Sequence, residues 1–277
     1  MSEFDVEDLE YQRVDGAPLL ARRYRPRGAG PFPAVVEIHG GAWTGGDRLN
    51  NVDIATALAS DGIAVLSLDF RMPPQAAYPT AVADVNLGIR WAKAHAAELG
   101  TRRELIGGLG TSSGGHLLLL NSLRPRDPRY TSLSLPGGAD ADARLPFIVA
   151  CWPVADPLAR YQAVKARGNE RLVLAHHQFW PSEDAMAEGN PQLILERGEP
   201  AELPPALVLQ GTNDDNLTPD MADRLVAAYR QRGGQAALEK FEGQPHTFIS
   251  KDPASAASLR ALELIRAFIH EQTRSAR

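Results

Sequence analysis

A single cysteine, Cys151, stands in the 277-residue chain, so no disulfide can form within it and a Cys/His metal cluster is not expected. That residue follows the apolar run Phe147-Ile148-Val149-Ala150, where a buried strand end and an inert thiol are the expected setting. No stretch approaches the roughly 20 apolar residues of a membrane span. No basic block marks a nucleic-acid surface and no acidic tail is present. The net charge is −5, with both signs spread along the chain. The opening residues, Met1-Ser2-Glu3-Phe4-Asp5-Val6-Glu7, are acidic and lack the apolar segment of a secretory signal. No repeat or low-complexity segment is found. These absences leave a soluble, cytoplasmic protein as the expectation, with neither membrane nor nucleic acid as a partner.

What is present is an alternation of short apolar runs and amphipathic stretches. The length allows one large α/β domain or two small ones, and 44% apolar residues suffice for a sizeable core. Leu9 to Tyr24, broken by Asp15-Gly16, reads as a β-hairpin. Buried strands are expected at Ala34–Ile38, Ile63–Leu68, Glu104–Leu109, Pro146–Cys151, Ala206–Gln210 and Ala237–Phe241. Between them, Asn51–Ser60 is helical in character. Val82, Val85, Ile89, Ala92 and Ala96 mark one face of a helix that begins near Pro79 and ends at Gly100. Another helix runs from Gly115 to Leu123. Arg124 to Arg144 reads as a long surface connection. Thr218-Pro219 opens a helix with Ala222, Leu225, Val226 and Tyr229 inward. Asp252-Pro253 opens the last, with Leu262, Ile265, Phe268 and Ile269 on one face. The pattern predicts an α/β fold with a mostly parallel sheet covered on both sides. Residues 152–199 hold several short helical pieces and are read as an insertion above the sheet of a single domain spanning 1–277, because strand and helix resume directly after them.

The chain is organised around Gly110-Thr111-Ser112-Ser113-Gly114-Gly115. A strand enters this Gly-x-Ser-x-Gly segment and a helix leaves it. That is the setting of a nucleophilic serine held at a sharp, strained corner over a helix N-terminus. A serine hydroxyl needs a base within hydrogen-bond reach, and the base needs an orienting carboxylate. Of the seven histidines, His246 alone stands in a loop after a strand without another evident role. His39 belongs to a glycine motif, His95 lies along a helix and His116 sits in the first turn of the Gly115 helix, where packing is its expected role. His176 and His177 are in the insertion, and His270 is near the tail. Asp214, three residues after Gly211 at a strand end, is the best acid; its neighbour Asp215 and the more distant Asp156 stay open. An oxyanion would meet the backbone N–H of Ser113 and those of the loop Gly40-Gly41-Ala42. Ser113 is needed here only for its backbone, so its side chain is expected to be dispensable.

With these residues in place, the chain resembles α/β-hydrolase fold esterases of the hormone-sensitive-lipase-like and feruloyl-esterase-like group. The matching pieces are His39-Gly40-Gly41-Ala42-Trp43 with Gly46-Asp47-Arg48, and Asp69-Phe70-Arg71 with Tyr78-Pro79 and Asp84. They continue with the serine segment through Gly115-His116-Leu117, then Gly211-Thr212-Asn213-Asp214, then His246. The resemblance implies Ser112 as nucleophile, His246 as base, Asp214 as acid, and Gly41, Ala42 and Ser113 as oxyanion donors. Asp69 and Asp84 are expected to hold loops. Three positions depart from the group: Ala42 replaces a third glycine, Thr111 stands where an acid is usual, and Ser113 where alanine is common.

The function this implies is hydrolysis of small to medium carboxylic esters through an acyl-enzyme. The partner is a small-molecule ester, with no metal and no organic cofactor. The alternatives are an amidase of the aryl-formamidase, kynurenine-formamidase-like kind, or a hydrolase-like binding protein without catalysis. Substrate would sit under the insertion, with Trp43, Trp152, His176, His177, Phe179 and Trp180 as candidate pocket residues. Phe179 and Trp180 face either the site or the core on this reading. A homodimer is left open.

Overall fold

A computed structural model describes residues 3–135 and 140–274. Eight strands form one sheet: β1 (Phe4–Val14), β2 (Ala17–Pro26), β3 (Ala34–Ile38), β4 (Ala64–Leu68), β5 (Ile106–Thr111), β6 (Ile148–Cys151), β7 (Ala206–Gly211) and β8 (Ala236–Phe241). Their order is β1-β2-β4-β3-β5-β6-β7-β8. β1 pairs with β2, and β2 with β4, in antiparallel fashion; every later pair is parallel. Asp15 and Gly16 turn the first hairpin with φ of 50° and 82°, the left-handed pair that a two-residue loop requires. Every residue of β3 to β7 is buried, which is why these strands read as mostly apolar runs rather than alternating ones.

The helices are α1 (Val52–Ser60), α2 (Thr80–Ala94), α3 (Ser112–Leu123), α4 (Pro157–Ala166), α5 (Glu170–Phe179), α6 (Glu183–Glu188), α7 (Pro191–Glu196), α8 (Met221–Gln231), α9 (Phe248–Lys251) and α10 (Ala256–Thr273). α1 packs on α10, α2 on α3, and α7 on α8. The stretch 152–199 is helical because each of its four short helices begins with its own cap. Asp156, Asn169, Ser182 and Asn190 accept from the N–H groups of Ala159, Leu172, Ala185 and Leu193 at 3.0–3.2 Å. Pro157 and Pro191 then fill first-turn positions where an N–H has no helical acceptor.

Several expectations move. α2 stops at Ala94, and His95 caps it and stacks on Trp91 at 4.1 Å; turns rather than helix lead to Gly100. α8 starts at Met221, after Thr218-Pro219, and α10 starts at Ala256, with the Ser255 hydroxyl accepting from Ser258 N–H at 3.2 Å. The one-turn α9 follows His246 where only a loop was read. The connection 124–144 is not all surface: Tyr130 is fully buried, its hydroxyl 2.9 Å from that of Tyr78. Residues 136–139 of that connection, Met1 and Ser2 of the acidic start, and 275–277 lie outside the described residues. Among the described residues no helix is long and apolar enough to cross a membrane.

Candidate active site

Five strand ends converge on one edge of the sheet, at its carboxyl side, where open α/β sheets hold their ligands. β5 delivers Ser112. Its φ is +52°, a left-handed conformation that costs a non-glycine residue on the order of 1–3 kcal/mol. The surrounding glycines make that corner sterically possible. A Cβ on Gly110 would lie 2.7 Å from the Gly114 carbonyl oxygen, and one on Gly114 would lie 2.2 Å from that of Ile38. The Val154 N–H, from the turn after β6, donates to the Ser112 carbonyl at 3.1 Å and pins the corner from the other side.

β7 and β8 deliver the other two groups together. Gly211 lets the two loops touch, since a Cβ there would fall 2.0 Å from the Gln244 carbonyl oxygen. Asn213 N–H then donates to that oxygen at 3.0 Å. The result is a chain of three side chains, all buried: Ser112 Oγ lies 2.9 Å from His246 Nε2, and His246 Nδ1 lies 2.7 Å from Asp214 Oδ2. The other Asp214 oxygen accepts the N–H groups of Asn216 and Leu217 at 2.9 and 3.3 Å. A carboxylate only accepts, so Nδ1 carries the proton and Nε2 is left to accept the Ser112 hydroxyl. Asp156 is elsewhere: it caps α4 and bonds Asn190 and Arg224. Asp215 is exposed.

β3 delivers the loop His39–Arg48. Gly41 (φ +119°), Ala42 (+54°) and Trp43 (+64°) run through left-handed conformations in succession. Gly41 is required: a Cβ would sit 1.9 Å from the Gly45 carbonyl oxygen. Ala42, at the third glycine position, tucks its methyl among Val164, Leu172 and Ala175 of α4 and α5. The Ser113 hydroxyl accepts the Trp43 N–H at 3.1 Å, tying this loop to the serine corner. The Ser113 side chain, needed on the sequence reading only for its backbone, thus also has a hydrogen-bond partner of its own. The Thr111 side chain is also engaged, its hydroxyl accepting from Asn51 Nδ2 at 3.0 Å, and the same amide nitrogen donates to the buried Glu37. Asp69 accepts from the Arg48 backbone and guanidinium, and Asp84 from those of Arg71, so both hold loops.

None of the candidate pocket residues is among those that line the cavity beside Ser112, and of the two readings left open for Phe179 and Trp180 both side chains are in the core. Trp43, Trp152, His176 and Phe179 are fully buried and Trp180 is 3% exposed. Phe179 stacks on Trp43 at 5.2 Å, while His176 and Trp180 meet its ring edge-on at 5.1 and 5.7 Å. Trp43 Nε1 donates to His116 Nδ1 at 3.1 Å, which places the His116 proton on Nε2, facing the Gly189 carbonyl at 2.8 Å. Burial pushes His116 and His176 down to about 4, so both rings are neutral inside this cluster. Trp152 packs behind His246 against Phe248, and His177 lies on the exposed face of α5, bonded to Tyr161. The aromatic set fastens the insertion to the β3 loop instead of lining a pocket. Cys151 is buried, and desolvation pushes its thiol up, as the sequence led one to expect.

The cavity that Ser112 and His246 open into has a volume of about 450 Å³ and is lined by polar and basic groups, among them Asn51, Arg160, Arg171, Asn216, Thr247 and Lys251. Sequence reasoning missed these. The available signal was Arg160, a cation among Pro157, Tyr161 and Val164 on the inner face of α4.

The sheet and its flanking helices define the chain as an α/β-hydrolase. The BD-FAE family model matches residues 24–229, and the chain belongs to that family. It is 29% identical over 231 residues to the esterase LipC of Mycobacterium tuberculosis, covering 81% of this chain and 55% of that protein. It is 30% identical over 238 residues to the probable carboxylic ester hydrolase LipM of the same organism, covering 84% of this chain and 53% of that one. The chain thus spans about half the length of the curated relatives it matches. Among solved structures, it is similar to EstE1, a thermostable carboxylesterase from a metagenomic library, with a TM-score of 0.79 and 25% identity over 98% of this chain and 90% of that one.

Proposed function

We propose that this protein is a serine hydrolase that cleaves small to medium carboxylic esters through an acyl-enzyme. The observation that carries this is the unbroken relay from Ser112 through His246 to Asp214, at 2.9 and 2.7 Å, ending in a cavity. The names of LipC, LipM and EstE1 support the ester as substrate. His246 Nε2 takes the Ser112 proton as Oγ attacks the ester carbonyl. Asp214 holds the ring in that tautomer and offsets the imidazolium charge that forms. The Ser113 N–H, in the first helical turn of α3 where no intrahelical acceptor exists, and the N–H groups of Gly41 and Ala42 serve the oxyanion. Collapse of the tetrahedral intermediate returns the proton from His246 to the leaving alkoxide. Water, activated by the same ring, then releases the acid and restores Ser112. The chain is read as one domain, 1–277, in which 152–199 is a cap: α4 and α5 bring Arg160, Arg171 and Leu172 to the cavity wall. A volume of about 450 Å³ suits a small to medium ester.

A fluorophosphonate should label Ser112, and Ser112→Ala should abolish both labelling and hydrolysis of p-nitrophenyl acetate while leaving the circular dichroism spectrum unchanged. A kcat/KM for an aryl formamide far above that for the acetate would replace the esterase reading with the amidase one. Undiminished turnover by Ser112→Ala would sink both.

A further inference from the structure

Arg160 is the cavity's anomaly. It sits on α4, lines the cavity and is 1% exposed, yet no carboxylate lies within ion-pair distance of it among the described residues. Its Nε and Nη2 donate to the carbonyl and the side-chain oxygen of Asn216, at 3.3 and 3.1 Å. Its guanidinium lies 5.3 Å over the Trp43 ring. Nη1 has no hydrogen-bond partner among the described residues. Bracing the Asn216 loop uses Nε and Nη2 and leaves Nη1 of this delocalised cation buried without an acceptor. A buried charge without a counterion is costly, so such a group is kept where a ligand completes it. Burial lowers Arg160 to about 10, with Arg171 also lowering it and Asp214 opposing, so it is still cationic at neutral pH. Asp214, the carboxylate that opposes this shift, is occupied by His246 and two backbone N–H groups. Arg171 and Lys251 stand exposed at the same cavity, and none of its lining residues is Asp or Glu.

We propose that Arg160 recognises a carboxylate on the substrate, so that the preferred esters are anionic ones, such as half-esters of dicarboxylic acids or esters of hydroxy acids. This rests on the hydrolase reading above and narrows its substrate class. The carboxylate would accept from Nη1 in a desolvated wall, where a charge-assisted hydrogen bond is strongest, while Arg171 and Lys251 raise the local concentration of anions at the mouth. A neutral ester of equal size would give the Arg160 guanidinium no acceptor, which is how a polar pocket rejects the analogue that lacks the matching group.

Two matched pairs test this. Monoethyl adipate against ethyl hexanoate places the charge on the acyl side, and 4-acetoxybenzoate against 4-acetoxybenzamide places it on the alcohol side. The wild-type protein should favour the anionic member in at least one pair. In Arg160→Met the anionic-to-neutral ratio of kcat/KM in that pair should fall about 10- to 100-fold, the usual worth of a hydrogen bond to a charged group. Arg160→Lys, which keeps the charge but not the fork, should recover part of it. Should Arg160→Met not fold, competitive inhibition of the wild type decides: adipate should inhibit hydrolysis of p-nitrophenyl acetate well below the concentration at which adipamide does. Preference for the neutral member in both pairs, equal inhibition by adipate and adipamide, or an unchanged ratio in folded Arg160→Met would overturn the proposal, the last leaving Arg160 as a loop brace. Failure of the hydrolase reading looks different: no ester of either charge is turned over and Ser112 is not labelled.

Discussion

Replacing Glu37 by Gln should change how stability depends on pH, by an amount the structure specifies. Glu37 is the penultimate residue of β3, 1% exposed, and shares the Asn51 amide with Thr111. Burial raises its carboxyl from 4.5 to about 7, against the opposing hydrogen bond from Asn51. A raised pKa means that the folded state holds the proton more tightly than the unfolded chain does. The stabilisation from this group is therefore complete below pH 4.5 and lost as pH rises through about 7. At about 1.4 kcal/mol per pH unit, the full loss is about 3 kcal/mol. Glu37→Gln keeps the shape and a hydrogen-bonding amide but cannot ionise. Urea unfolding of both proteins at pH 4.5 and pH 8 isolates the term, because every other group titrates in both. The stability difference between variant and wild type should move by about 3 kcal/mol in favour of the variant between those two values. Parallel stability curves would show that Glu37 ionises normally in the folded protein, and the account of its burial would fail. Above pH 7 the ionised Glu37 also pulls on Asn51, which bonds Thr111 beside the nucleophile, so kcat should be flatter with pH in the variant.

Ser113→Ala leaves the Trp43 N–H buried and unpaired, so unfolding free energy should drop by about 1–3 kcal/mol. Because that bond fixes the oxyanion loop, kcat should fall about 10- to 100-fold with little change in KM; full activity at unchanged stability would show that the loop is held by packing alone. Asp214→Asn should lose about 10³- to 10⁴-fold in kcat for p-nitrophenyl acetate. Asp215→Asn should cost far less, and Asp156→Asn should lower the melting temperature more than kcat, since Asp156 caps α4 and pairs with Arg224; a crippled, well-folded Asp156→Asn beside an active Asp214→Asn would move the acid.

Much of this protein was legible in its sequence for a local reason. A strand covered on both faces is apolar at most positions, so β3 to β7 announced themselves as short apolar runs, with bounds that fell within a few residues of those observed. A strained corner over a helix start admits few residue types, so Gly110, Ser112 and Gly114 marked it; the steric need for Gly110 and Gly114 is visible at 2.7 and 2.2 Å. Their places in loops after strands singled out Asp214 and His246 to go with Ser112. What local pattern does not encode is where a side chain points once elements from distant parts of the chain pack together. Asp214 was preferred to Asp215 and Asp156 from its place after β7 with the other two left open, and the contact between the β7 and β8 loops brings Asp214 within 2.7 Å of His246. Trp43, His176, Phe179 and Trp180 looked like a pocket lining because aromatics serve equally well in sites and cores; the docking of α5 on the β3 loop decided for the core. Arg160 went unremarked because a cation is ordinary on a helix surface. It becomes informative only when the fold buries it beside Ser112 and leaves one of its nitrogens without a partner.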